Sequence, residues 1–328
     1  MARVFVSRVL PGEAVEMLRH AGHDVDVWDG ELPPPRDVLA ERLRDADGAV
    51  LLLTDRVDAE LLRGCPRLRV LANVAVGFDN IDVAAATAHG VWVTNTPDIL
   101  HETTADFAFA LLLAVARRIV PSERFAREGR WRTWSPTAFL GADVHGATLG
   151  IVGLGQIGSA VARRARGFGM RVLYTARSRK PAAEGTLGVE WAELDDLLRR
   201  SDFVSLHVPL TPETYRLMSR ERIRTMRRGS YLINTARGGV VDHDALLEAI
   251  ADGHLGGAAL DVTDPEPLPA DHPLFRFEQV LITPHIASAS ERTRARMAEL
   301  AAENVIAVLD GRPPVTPVNR LAHEHEEP

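Results

Sequence analysis

The sequence predicts an α/β protein built on doubly wound parallel sheets. Three observations carry this reading. Short apolar runs alternate with helix-patterned segments along most of the chain. One such run leads into Thr148-Leu-Gly-Ile-Val-Gly-Leu-Gly-Gln-Ile-Gly158, where Gly153, Gly155 and Gly158 stand in the spacing G-x-G-x-x-G. A helix-patterned segment and a second apolar run follow at once. At 328 residues the chain has room for about two domains.

In chain order, Arg3 to Ser7 read as a strand and Glu13 to Ala21 as a helix ended by Gly22. Asp24 to Trp28 form the next strand, Pro33-Pro-Pro35 a loop, and Arg36 to Arg44 a helix. Ala49 to Leu53, Val70 to Asn73 and Val91 to Thr94 are further short strands, so residues 1–97 read as one doubly wound unit. Ile99 to Val120 read as a single long helix, apolar on most faces and therefore buried against other protein. It either links two domains, and then also faces a second subunit, or is an internal core helix. Pro121 opens a looser segment holding Trp131, Trp134 and Pro136.

The second block starts with the buried strand Leu149 to Val152. Ile157, Ala160, Val161, Ala165 and Phe168 then recur at helical spacing, Gly169 is a stop, and Met170 to Thr175 form a strand. Phe203 to His207, Tyr231 to Thr235, Ala258 to Asp261 and Val280 to Thr283 are later strands, with a helix at Asp244 to Ala251. After Ser288 a helix runs to about Leu309. The end, His323-Glu-His-Glu-Glu327, reads as a solvated tail rather than a metal site, and no metal is expected.

Composition narrows the function classes. A net charge of −7 argues against a nucleic-acid surface. Cys65 is the single cysteine, so no intramolecular disulfide forms, and its apolar neighbours suggest an inert thiol in a reducing compartment. The most apolar run, Phe107 to Ala116, is too short to span a bilayer and is closed by Arg117 and Arg118. The N-terminus opens on a strand with no signal-peptide core, so a cytoplasmic protein with no membrane partner is expected.

The glycine stretch has the context of a dinucleotide fingerprint. Gly153 permits a tight turn, Gly155 lets backbone approach a pyrophosphate, and Gly158 lets the helix pack close to its strand. In open parallel sheets ligands bind beyond the carboxyl ends of the strands. The polar residues that follow predicted strands are His207 with Pro209, Arg237, Asp261 with Glu266, and His285. These types suit hydride transfer to a 2-oxo acid. A planar, permanently charged guanidinium (Arg237) holds the carboxylate and carbonyl. A histidine (His285) protonates the nascent alkoxide. A carboxylate (Glu266) favours the imidazolium and fixes its ring.

Selectivity for NAD would place an acid roughly 20 residues after the fingerprint. No acidic residue occurs from Ser159 through Ala183. The second strand instead runs into Thr175-Ala-Arg-Ser-Arg-Lys180, where Arg177, Arg179 and Lys180 can neutralise a 2′-phosphate and Ser178 can donate to it. NADP(H) is therefore the expected coenzyme, with NAD(H) possible.

Further motifs are Ala75-Val-Gly-Phe-Asp-Asn-Ile-Asp82, Thr103-Thr-Ala-Asp106, Asn234-Thr-Ala-Arg-Gly-Gly239, Asp261-Val-Thr-Asp-Pro-Glu-Pro267 and Thr283-Pro-His-Ile-Ala287. With the fingerprint, they make the chain resemble the D-isomer-specific 2-hydroxyacid dehydrogenases nearly end to end. Within that family Asp261 to Pro269, Asp271-His-Pro-Leu274 and Arg130-Trp-Arg-Thr-Trp-Ser-Pro136 resemble the glyoxylate/hydroxypyruvate reductase branch. Thr263 departs from relatives that carry an aromatic residue there.

The resemblance implies two Rossmann-like domains: a substrate-binding domain of residues 1–98 plus 289–328, split by a dinucleotide-binding domain of residues 99–288. It implies Arg237, Glu266 and His285 as the catalytic set, with Val76, Gly77 and Trp134 as further substrate contacts, Trp134 reaching a neighbouring subunit. Cofactor contacts are expected at Thr104, Gly153, Leu154, Gly155, Gln156, Ile157, Gly158, Ala176, Arg177, Ser178, Arg179, His207, Pro209, Thr235, Ala236, Asp261 and Ala287. The implied partners are a small 2-oxo or 2-hydroxy acid and a second copy of the chain in a homodimer. Two other readings share the motifs: another D-2-hydroxyacid or phosphite dehydrogenase, and a nucleotide-sensing corepressor-like binding protein.

Overall fold

The structure is a computed structural model that describes residues 1–321. The tail His323 to Glu327 lies outside the described residues. The chain divides into two compact units, one made of Met1–Leu100 and the segment from Ala289 onward, the other of His101–Ser288.

The first unit runs β1 (Arg3–Val6), α1 (Ala14–His20), β2 (Asp24–Val27), α2 (Arg36–Asp45), β3 (Gly48–Leu51), α3 (Ala59–Arg63), β4 (Val70–Asn73), α4 (Val83–Ala88) and β5 (Trp92–Thr94). Its strands pair in parallel in the order β2-β1-β3-β4-β5. Side chains alternate across this sheet, as a period of two demands. Phe5, Leu51 and Leu71 join Leu39, Leu43, Leu61 and Leu62 on one face. Val4, Val6, Val50, Val70 and Ala72 face the other way, against Leu18 and a helix from the far end of the chain.

The second unit begins with α5 (His101–Ala116) and α6 (Ile119–Arg127), then β6 (Thr148–Val152), α7 (Gln156–Gly167), β7 (Arg171–Thr175), α8 (Pro181–Leu187), β8 (Glu190–Trp191), α9 (Leu194–Arg200) and β9 (Phe203–Leu206). It continues with α10 (Arg220–Thr225), β10 (Tyr231–Asn234), α11 (His243–Ala251), β11 (Gly257–Leu260) and β12 (Val280–Ile282). The seven-stranded parallel sheet has the order β12-β11-β10-β9-β6-β7-β8. Strand order therefore reverses between β6 and β9, the switch point where doubly wound folds place their ligand. Apolar α5 packs with α7 on one face of this sheet as part of its core. Leu197, Leu198, Ile223, Leu246 and Ile250 cover the other.

The chain then returns to the first unit as α12 (Glu291–Leu309), whose Ala298, Ala301, Ala302 and Val305 complete the second face of that sheet. Ser290 caps it by accepting from Thr293 N–H.

Two linked expectations are corrected. Ile99 to Val120 is not a single helix. The helix ends at Ala116, and Arg118 adopts left-handed φ +53° before α6 starts. The cause is tertiary: the Ala116 carbonyl accepts from Ala142 N–H at 2.9 Å. A Cβ at Gly141 would sit 2.2 Å from that oxygen, so the approach demands glycine. Pro121 consequently lies in the first turn of a helix, where its missing N–H costs nothing, rather than opening a loose segment.

No helix among the described residues is long and apolar enough to cross a membrane. Cys65 is buried, and burial pushes its thiol up, which keeps it protonated.

The last described stretch is tied to β5 by Asn319. Its side chain accepts from Val93 N–H (2.8 Å) and donates to Val91 O and Thr87 Oγ1 (both 2.9 Å). Asn319→Ala leaves these groups unsatisfied in a buried setting. We expect a loss of about 2–3 kcal/mol, read as a lower denaturant midpoint at unchanged slope.

Candidate active site

Parallel pairing brings every strand of the second unit to the same edge with its carboxyl end. Gly153–Gly158 follows β6, Ala176–Arg179 follows β7, and His207 with Pro209 follows β9. Thr235, Ala236 and Arg237 follow β10, Asp261 and Glu266 follow β11, and His285 and Ala287 follow β12. Thr104, buried, lies in the first turn of α5.

The three glycines are there for different physical reasons. Gly153 has φ +99°, and a Cβ on it would lie 2.5 Å from His207 O. A Cβ at Gly158 would lie 2.1 Å from Gly153 O, so the start of α7 touches the turn before it. At Gly155 a Cβ would meet nothing within 4 Å. The fingerprint thus packs tightly at its first and third glycine and stays open at its second. No side chain caps the start of α7. Two buried polar atoms on adjacent strand ends, His207 Nδ1 and Thr235 Oγ1, have no partner. An open cradle, an uncapped helix start and orphaned polar atoms fit a dinucleotide.

His207 is set by its surroundings. Nε2 lies 2.8 Å from Ser205 Oγ, and burial holds the imidazole down to about 4. It is neutral at neutral pH.

The turn after β10 is held by Asn234, which accepts from Ala236 N–H (3.0 Å) and donates to Arg237 O (2.9 Å). A Cβ at Gly238 would lie 1.9 Å from Thr263 O, so glycine alone lets the Arg237 turn rest on the segment that carries Glu266.

His285 Nδ1 meets Glu266 Oε1 at 2.6 Å, and Thr263 N–H donates to Glu266 Oε2 at 3.2 Å. Burial works against the Glu266 charge. The His285 hydrogen bond and charge, Thr263 N–H and the Arg237 guanidinium outweigh it and hold the carboxyl below its ordinary range. The arginine, carboxylate and imidazole therefore sit in one electrostatic neighbourhood.

His285 itself has φ +55°, a conformation that costs a non-glycine residue about 1–2 kcal/mol. Buried Asp261 enforces it. Its Oδ1 accepts from Thr283 Oγ1 (2.7 Å) and Ile286 N–H (2.9 Å), its Oδ2 from Ala287 N–H (2.7 Å), and its backbone carbonyl from His285 N–H (2.9 Å). Nothing in the linear pattern signals that this carboxylate builds the histidine turn.

Two other arrangements escape the linear reading. Glu184, one residue past the acid-free stretch, forms a two-bond pair with Arg179 at 2.8 Å for both contacts. Lys180 Nζ donates to Leu154 O at 2.7 Å. Of the cations assigned to a 2′-phosphate, Arg179 thus already faces a carboxylate and Lys180 a carbonyl.

In the first unit, Val76 and Gly77 lie after β4. Val76 O accepts from Asn95 Nδ2 and Gly77 O from Asn73 Nδ2, both at 2.8 Å. Asn80 donates to Leu52 O and Asp55 O, while Asp55 accepts from Leu52 N–H and Ser7 Oγ. Burial pushes the Asp55 carboxyl up despite these bonds. Trp134 stands 79% exposed after α6.

The depressed imidazole of His207 has a signed consequence. Between its ordinary value near 6.5 and its folded value of about 4, the unfolded chain takes up a proton that the folded chain refuses. Its contribution is complete above about pH 6.5 and declines as pH falls. Acidifying from pH 7 to pH 5 should cost wild type about 2 kcal/mol more than it costs His207→Gln. Urea titrations at the two pH values measure this difference.

Comparison with known proteins bears on the whole arrangement. A family model described as "D-isomer specific 2-hydroxyacid dehydrogenase, NAD binding domain" matches residues 109–287. A glyoxylate reductase of Korarchaeum cryptofilum is 53% identical over 319 residues, covering 97% of this chain and 96% of that protein. A crystal structure of a Thermus thermophilus protein superposes with TM-score 0.92 at 52% identity, covering 97% of this chain and 100% of that one. An NADPH-dependent glyoxylate/hydroxypyruvate reductase from Sinorhizobium meliloti, solved with citrate, superposes with TM-score 0.83 at 31% identity, covering 97% and 98%. With this fold, this open glycine turn and these relatives, the chain belongs to the D-isomer-specific 2-hydroxyacid dehydrogenases and is an NAD(P)-dependent enzyme of that family.

Proposed function

We propose that the enzyme reduces glyoxylate or hydroxypyruvate to glycolate or D-glycerate with NADPH. The observation that carries this reading is the 2.6 Å contact of His285 with Glu266 inside the field of Arg237. The names of its relatives, glyoxylate reductase and glyoxylate/hydroxypyruvate reductase, support the substrate class.

The residues divide the work as follows. Arg237 binds the substrate carboxylate and carbonyl oxygen through its planar guanidinium. The bound nicotinamide supplies the hydride that reaches the carbonyl carbon. His285, with Nδ1 held by Glu266, delivers a proton from Nε2 to the carbonyl oxygen and becomes neutral. Glu266 keeps the ring oriented through Nδ1. Asp261 presents His285 through the turn it builds. The fingerprint from Gly153 through Leu154, Gly155, Gln156 and Ile157 to Gly158 takes the pyrophosphate. Thr104, Ala176, His207, Pro209, Thr235, Ala236 and Ala287 line the rest of the coenzyme, and Arg177, Ser178 and Arg179 receive the 2′-phosphate. The absence of an acidic residue from Ser159 through Ala183, with Glu184 already paired to Arg179, supports NADPH over NADH.

In this reading residues 101–288 bind coenzyme, and the first unit binds the substrate carboxylate through backbone at Val76 and Gly77. Ile119, Trp131, Trp134 and Leu140 are all at least half exposed on one stretch of the second unit, which supports a homodimer that covers them. The chain would act in the cytoplasm on small 2-oxo acids.

Initial rates with glyoxylate, hydroxypyruvate, pyruvate and longer 2-oxo acids, each with NADPH and NADH, test the proposal. The two small acids with NADPH should give a kcat/KM at least about tenfold above the other combinations. His285→Ala should lower kcat by about 10²–10⁴-fold, the range of general acid catalysis. Arg237→Ala should lower kcat/KM by a similar factor with a raised KM for the oxo acid. A clear NADH advantage refutes the coenzyme assignment, and near-normal turnover of either variant refutes the roles.

A further inference from the structure

The loop between β7 and α8 is more ordered than a row of surface cations requires. Tyr174, whose side chain is wholly buried, sends its hydroxyl to the end of β7. That hydroxyl donates to Glu184 Oε1 at 2.8 Å and accepts from Lys180 N–H at 2.7 Å. Glu184 N–H donates back to Lys180 O at 3.1 Å. The Glu184 carboxylate, only 19% exposed, then takes Arg179 by Nε and Nη2. This pair uses one edge of the guanidinium and leaves Nη1 on the opposite side. The neighbouring guanidinium, Arg177, is exposed, and its charge reaches the Glu213 carboxylate after β9.

We propose that Glu184 is a positioning residue for NADPH selectivity: anchored by Tyr174, it holds the Arg179 guanidinium by its Nε/Nη2 edge so that Nη1 is presented to the 2′-phosphate. The inference deepens the coenzyme assignment made above and rests on it. An isolated surface ion pair contributes little because two long side chains must be ordered to form it. Here the acid is already ordered by a buried phenol, so only the arginine has to be fixed. An arginine fixed before the coenzyme arrives loses less rotamer freedom on binding it, which shows as affinity. The hydrogen bonds of the Arg179 and Tyr174 donors hold the Glu184 carboxyl down to about 2, so it stays charged throughout the working pH range. Lys180, fastened to Leu154 O, joins the same loop to the fingerprint.

The obvious competing effect is repulsion, since a carboxylate near a phosphate opposes its binding. A double-mutant cycle separates the two. Dissociation constants for NADPH and NADH are measured by coenzyme fluorescence on the full-length enzyme, for wild type, Glu184→Ala, Arg179→Ala and the double variant. Positioning predicts that Glu184→Ala weakens NADPH about tenfold, leaves NADH within about twofold, and leaves kcat at saturating NADPH unchanged. In the Arg179→Ala background the same change should have no further effect. Tighter NADPH binding by Glu184→Ala, equal weakening of both coenzymes, or an undiminished effect without Arg179 would each overturn the proposal. Should Glu184→Ala fail to fold, Glu184→Gln keeps an oxygen for the Tyr174 hydroxyl and is read by the same criteria. A wild-type preference for NADH would refute the coenzyme assignment, whereas the cycle is read from NADPH affinity whichever coenzyme wins.

Discussion

The Asp261 carboxylate, 1% exposed at the end of β11, accepts from one hydroxyl and two backbone N–H groups of the turn that follows β12. A buried charge of this kind is tolerated only because its hydrogen bonds replace the water it lost. The turn it closes holds His285 in a left-handed conformation and so aims the imidazole at Glu266. The site therefore rests on pairing between neighbouring strands. β11 and β12 run in register from Ala258↔Val280 to Leu260↔Ile282, and the acid and the histidine emerge side by side. The approach of Gly238 to Thr263 does the same between β10 and β11, bringing the charge of Arg237 within reach of Glu266.

Much of this is legible in the sequence, because a parallel sheet converts order along the chain into position in space. Once the strands ending near Asn234, Leu260 and Ile282 are identified, the residues just after them must share one edge. The fingerprint is legible for a related reason: the requirement at Gly153 and Gly158 comes from neighbouring backbone, His207 O and Gly153 O, and no other residue type satisfies it. Expectation failed where the deciding contact is distant. Ala116 is a good helix former in an apolar run, and nothing local announces that Ala142 N–H will take its carbonyl. Glu184 lies just past the acid-free stretch that ends at Ala183, and only the helical return of α8 brings that acid back to Arg179.

The Asn73, Asn80, Asp55 and Ser7 cluster marks a further limit. Each side chain alone is an ordinary polar residue near a strand end. Together they bind the loop after β4 to the ends of β1 and β3 by hydrogen bonds to backbone carbonyls of Gly77, Leu52 and Asp55. Amide side chains suit this task, since the same group can donate to a carbonyl and accept from a neighbour. Which carbonyls they meet depends on a fold whose register the linear pattern does not state.

The placement of α12 has a consequence for biosynthesis. The sheet face formed by Val4, Val6, Val50, Val70 and Ala72 is closed by Ala298, Ala302 and Val305, which follow the whole of His101–Ser288 in the chain. On the ribosome, that valine-rich face emerges early and is covered only in part, by Ala14 and Leu18 of α1, until the last helix has been translated. The inserted unit, contiguous in sequence, has no such wait. Order of completion is therefore inverted relative to order of emergence: the unit that leaves the ribosome first is the last to close its core.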